Sequence, residues 1–199
     1  MIISGSVVVT MDASRRVYAP GIVVVENGVI RHVGGPGTWP PGPDDRLVGC
    51  PGHLIMPGLV NTHTHVCFAL FRGLAEDRPR DAWPPHYALP YQDRMDPDAF
   101  YWGAMLGGLE MLTNGITTVA DRFAPMAPIA DALDRLGMRA VVCHTVADVG
   151  RPLDWDRAMA LIDRWGVSPS RRVHCGIGPH APDTCSDDLL RRVRAFARE

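Results

Sequence analysis

Two histidines separated by one residue, His63 and His65, directly follow the apolar pair Leu59-Val60. Side chains at i and i+2 of a strand share a face, so both imidazoles can point at one ion from the rigid end of a strand. Neutral imidazole is a common ligand of Zn²⁺ and Fe²⁺. A bare H-x-H pair fits two ordinary surface or core residues equally well, so its surroundings decide. A third histidine, His180, follows the strand-like run Val173–Gly178 and is flanked by Pro179 and Pro182. Asp121 ends a further apolar run, and Arg122 and His144, at the ends of two such runs, could line the same rim.

The elements that would position these residues alternate. Residues 1–35 read as all-β: β-branched runs at Val7–Thr10, Ile22–Val25 and Val29–Val33, the last two joined by Asn27-Gly28, a hairpin signal because both residues tolerate positive φ. Residues 34–52, rich in Gly and Pro, read as a linker. From residue 53 strands and helices take turns. Leu54–Met56 leads through Pro57-Gly58 to Leu59-Val60 as a first strand. Asp96 caps a helix that Pro97 opens and Asn114-Gly115 stops. Ile116–Ala120 is a second strand, Ile129, Leu133 and Leu136 mark a second helix, and Arg139–Thr145 is a third strand. A helix over Asp154–Trp165, the strand Val173–Gly178 and a final helix capped by Ser186 complete four β/α units. Such alternation implies a parallel sheet with right-handed crossovers. An eightfold barrel needs roughly 250 residues, with active sites at the C-terminal ends of its strands. Residues 1–52 thus form one region and 53–199 the first four units of such a barrel.

The run Met56-Pro57-Gly58-Leu59-Val60-Asn61-Thr62-His63-Thr64-His65 closely resembles the signature of the amidohydrolase superfamily. More narrowly, it is similar to the branch of chlorohydrolases and aminohydrolases that contains triazine hydrolases, S-adenosylhomocysteine/methylthioadenosine deaminases and guanine deaminase. Phe71–Asp77, Asn114–Asp121 and Gly178–Pro182 resemble later segments of that branch. The resemblance implies an α/β fold, the first half of a TIM-type (β/α)8 metal-dependent hydrolase barrel preceded by part of a small β-sandwich. It implies that His63 and His65 bind one divalent metal, zinc first and iron second, and that His180 contacts the heterocycle; otherwise His180 fixes its turn. Asp121 is usually structural in the family, and some relatives carry Arg near position 144, where this chain has His144. Other branches bridge two metals with a carboxylated Lys on the fourth strand; all 20 basic residues here are Arg, which favours the one-metal subtype.

Residues 66–95 are long for a connection, and such loops are uncommon unless functional. Trp83 and Tyr87 would either stack on a planar substrate or pack the loop itself. Related deaminases often carry Glu near position 92 as a substrate contact; Gln92 puts that contact in doubt. A formal net charge of −2 gives no long-range attraction to nucleic acid or membrane. No run of about 18 apolar residues occurs, no secretory signal opens the chain, and five cysteines without a C-x-x-C pair read as reduced thiols, so cytoplasmic is the default.

The implied reaction is hydrolysis at a non-peptide C–N bond, chiefly deamination of a nitrogen heterocycle by metal-activated water. A bound divalent cation lowers the pKa of water from about 15.7 toward 7, and a carboxylate carries the proton to the leaving group. The resemblance places the third histidine, the acid/base carboxylate and a final aspartate beyond residue 199, and two histidines leave a catalytic zinc short of its usual three protein ligands. The chain is thus expected to be an N-terminal portion, inactive alone and unstable or self-associating, and a homo-oligomer at full length. Two other readings stay open: a non-catalytic half-barrel that pairs with itself or a partner chain, and a metal-binding protein without hydrolase activity.

Overall fold

A computed structural model describes residues 1–199 except 75, 80–82, 151, 153, 167–171 and 199, and except the side chains of 83–85. The chain divides into two compact units, Met1–Gly58 and Leu59–Glu199.

The first unit is a five-stranded sheet. Strand β1 (Ile2–Val9) pairs antiparallel with β2 (Val17–Tyr18) and β3 (Gly21–Glu26), and β3 pairs antiparallel with β4 (Val29–Gly34). The β3–β4 hairpin turns on Asn27 and Gly28, both at positive φ (51° and 75°). The expected linker over 34–52 needs correction. Leu47–Ile55 is a strand, β5, that pairs parallel with β1. Its Pro51-Gly52 pair marks a register shift opposite Gly5–Val7, with Gly52 at φ 75° and its amide donating to Ser6 Oγ at 2.8 Å. Gly and Pro mark bulges as well as loops. The first barrel strand therefore does not begin at Leu54: Pro57 cannot donate to a ladder, and the next strand opens at Leu59.

The second unit is a parallel sheet in sequential order, β6 (Leu59–Thr64), β7 (Ile116–Phe123), β8 (Arg139–Val146) and β9 (Val173–Pro179). Helices follow the strands. A 3₁₀ turn (Val66–Phe71), a π-helical turn (Trp83–Ala88) and a short α1 (Leu89–Gln92) lead to α2 (Pro97–Thr113). Then come α3 (Ala127–Arg135), α4 (Trp155–Trp165) and α5 (Asp187–Phe196). The expected caps are present: Asp96 accepts from Ala99 N at 2.8 Å and Ser186 from Leu189 N at 3.1 Å; Asp154 caps the helix after it as well, accepting from Asp156 N at 2.9 Å. The described residues of the 66–95 segment are largely helical turns.

The core lies between helices and sheet, where Met126, Ile129, Leu133, Met138 and Val142 are fully buried. Each such side chain contributes about 1.5–3 kcal/mol on burial. Alternation along β8 turns Ala140, Val142, His144 and Val146 toward this core, while Val141 is exposed on the opposite face. Two helical glycines bring α2 onto the turn after His65. A Cβ at Gly103 would stand 2.6 Å from Cys67 O, and one at Gly107 only 2.5 Å from Val66 O.

Candidate metal centre and pocket

The C-terminal ends of β6 to β9 surround a cavity of about 340 Å³ whose walls include His65, Gln92, Arg122, Thr145, His180 and Thr184. Phe68, Phe123, Ala147 and Val149 make much of the remainder apolar. This is the mix of apolar wall and few polar groups that small-molecule sites show.

His63, the last residue but one of β6, is exposed, its amide donating to Asn61 Oδ1 at 3.2 Å. His65 follows the strand and is half-buried. The two rings lie edge-on with centroids 5.3 Å apart, so the strand does bring both imidazoles to one place. Phe68 and Phe123 flank His65 at 5.8 and 5.5 Å.

Asp121 sits beneath His65. It is 2% exposed, and its Oδ2 accepts from Val66 N at 3.0 Å, tying β7 to the turn that follows His65. Its Oδ1 faces His65 Nδ1 at 3.8 Å, and neither atom has a hydrogen-bond partner. A slight approach would pair them, hold the proton on Nδ1 and present Nε2 as a ligand. Metal-binding histidines are commonly oriented by such an outer carboxylate. The residues present therefore fit part of a metal site. Among the described residues no group of three His, Cys, Asp or Glu converges on one point.

His180 follows β9, and its backbone amide donates to Val146 O at 3.0 Å. Its Nδ1 lies 2.8 Å from Thr184 Oγ1, which itself donates to Ala181 O at 3.1 Å. With the hydroxyl proton so used, Nδ1 carries the ring proton and Nε2 of the neutral ring is an acceptor. Burial holds the His180 imidazole below the ordinary histidine range; the Arg122 guanidinium and His65 push the same way and Asp183 opposes. Gln92 ends α1 and donates from Nε2 to Ala124 O at 3.3 Å, which leaves its Oε1 as an acceptor. The Trp83 side chain lies outside the described residues, and Tyr87 is not among the cavity walls.

Arg122 reaches the cavity as expected, but His144 does not. It is 3% exposed on the helix side of β8, beside Arg157 and Asp154. Thr145 and Thr184 escaped sequence reasoning because a threonine carries no distinctive signal. Only the spacing of Thr184 four residues after His180 hinted at their contact.

The amidohydrolase family model matches residues 54–199. The chain belongs to the amidohydrolase family. It is 35% identical over its full length to a 5-methylthioadenosine/S-adenosylhomocysteine deaminase of Symbiobacterium thermophilum, covering 47% of that protein. It is 34% identical over 99% of its length to a 5'-deoxyadenosine deaminase of Methanothermobacter thermautotrophicus, covering 46% of it. Among solved structures, an adenosine deaminase of Xanthomonas campestris with bound zinc superposes with a TM-score of 0.81 at 29% identity, over 99% of this chain and 46% of that one. An atrazine chlorohydrolase of Arthrobacter aurescens complexed with zinc superposes with a TM-score of 0.86 at 23% identity, over 99% and 50%. The last likeness speaks for the fold alone. The chain spans about half the length of the relatives it matches, and its four parallel β/α units are half of the family's barrel. Among the described residues no helix is long and apolar enough to cross a membrane.

Proposed function

We propose that the protein is a metal-dependent aminohydrolase that removes ammonia from a 6-aminopurine nucleoside or a closely related heterocycle. The observation that carries this reading is the convergence of His65, His180 and Gln92 on one cavity at the strand ends, with His63 beside His65. The deaminases to which the chain is similar supply the substrate class.

His63 and His65 would hold one divalent cation, zinc first and iron second, in a cytoplasmic protein that forms homo-oligomers. When bound, the cation supplies a water acidic enough to attack at neutral pH. Asp121 orients His65. His180 offers Nε2 to a donor of the substrate, its exocyclic amino group or a ribose hydroxyl, and Gln92 offers Oε1 to another. The aromatic pair Phe68 and Phe123 keeps bulk water from the His65 side of the cavity. The third ligand and the proton-carrying carboxylate are assigned to residues outside this chain, so the 199-residue chain alone is predicted not to turn over.

A chimaera joining residues 1–199 to the C-terminal part of the Symbiobacterium relative tests this. Zinc-loaded chimaera should release ammonia from 5'-methylthioadenosine, and His65→Ala should abolish the release. A folded, zinc-loaded chimaera without turnover would contradict the proposal; turnover by the 199-residue monomer would contradict the assignment of the missing groups.

A further inference from the structure

Arg122 lies on the cavity face of β7, and its stem crosses β9 where Gly178 has no side chain. A Cβ there would stand 2.8 Å from both Arg122 Cγ and Cδ. Its Nη1 donates to Thr145 Oγ1 at 3.4 Å, a long bond, and Thr145 is 3% exposed. No carboxylate of the described residues lies within ion-pair range of the guanidinium, although Arg72, Arg164, Arg172 and Arg191 each meet one elsewhere. Asp121, its chain neighbour, points to the opposite face and is engaged by Val66 N. A partly buried guanidinium with apolar walls nearby is costly to desolvate unless it meets an anion. Its planar fork of five donors matches carboxylate and phosphate oxygens.

We propose that Arg122 is a specificity-determining residue that binds an anionic substituent, carboxylate or phosphate, on the substrate whose ring contacts His180. Thr145 and the glycine at position 178 form the cradle that holds it extended toward that group. The inference rests on the heterocycle reading above, and the His144 imidazole, turned into the core, leaves Arg122 as the cation of this wall.

The test is binding to the 199-residue chain by calorimetry with three probes: 5'-methylthioadenosine (neutral), S-adenosylhomocysteine (carboxylate) and adenosine 5'-monophosphate (phosphate). At least one anionic probe should bind about tenfold or more tightly than the neutral one, and which one does identifies the group. Arg122→Gln should erase that preference while leaving 5'-methylthioadenosine affinity and the thermal midpoint unchanged; Arg122→Lys should retain part of it. Equal affinities for the three probes, or a preference that survives Arg122→Gln, would overturn the proposal. If no nucleoside binds, the heterocycle reading fails, and the Arg122 proposal is then decided separately. The Arg122 Nε–H NMR signal, assigned by its loss in Arg122→Gln, should move saturably with inorganic phosphate or acetate, and a signal indifferent to both overturns it.

Discussion

Asp121 uses its two carboxylate oxygens differently: Oδ2 fixes the amide of Val66, and Oδ1 faces the buried Nδ1 of His65. The first role is structural and the second chemical, and two substitutions separate them. Asp121→Asn keeps an acceptor for Val66 N but loses the charge opposite His65. Zinc affinity, measured by competition with a chelator, should fall about 10–100-fold. Asp121→Ala also leaves a buried N–H unpaired and should cost a further 1–3 kcal/mol or so of stability in urea unfolding. His144 answers to pH instead. Burial holds its imidazole below the ordinary histidine range, with Arg157 adding to the effect and Asp154 opposing it. The unfolded chain then takes up the proton at higher pH than the folded one. The stabilisation is full above about pH 6.5 and is lost as pH falls through the folded value. Urea midpoints should drop between pH 7.5 and 5.5, and His144→Leu should flatten the drop; an unchanged slope would contradict the assignment. At this scale His63, His65, His180 and Gln92 were legible as chemistry-bearing types beside recognisable strands. The facing of His144 was not, because apolar residues occupy both faces of β8, at Val141 and Cys143 as well as Ala140 and Val142, and hide its parity.

The elements were legible wherever a local rule settles them. Asp96-Pro97 and Ser186 announce helix starts, Asn27-Gly28 a hairpin, and Asn114-Gly115 a stop, and each does so through a side-chain bond or a positive φ found in the fold. Strand β5 was not legible, since Pro51-Gly52 looks alike in a loop and in a bulge, and only pairing with β1 distinguishes them. Nor did the turn after His65 announce itself, because it is set by the glycines of α2, forty residues on. Gly107→Ala puts a methyl against Val66 O, which is backbone and cannot swing away. The variant should lose about 1–3 kcal/mol of stability and weaken zinc binding by displacing His65. An unaltered unfolding midpoint would show that the contact is slack.

At the scale of the molecule, the parallel sheet ends on β6 and β9, and among the described residues neither outer edge is paired. Leu59 and Val60 on β6 and Val141 on β8 are about half exposed, at 50%, 59% and 49%. An unpaired edge with apolar flanks is a template for association. Sedimentation velocity of the 199-residue chain should therefore show mass rising with concentration, and Val60→Lys should reduce it; a monomer at every concentration would contradict this. The order of the four β/α units was readable from alternation alone, whereas the cavity was not, since register brings its walls together from five separate segments. Zinc titrated into the chain and followed by X-ray absorption should load about one ion with imidazole nitrogens at about 2.0–2.1 Å, and the His63→Ala/His65→Ala double variant should lose that binding. A double variant that binds zinc as the unsubstituted chain does would contradict the assignment of His63 and His65 as the metal's ligands.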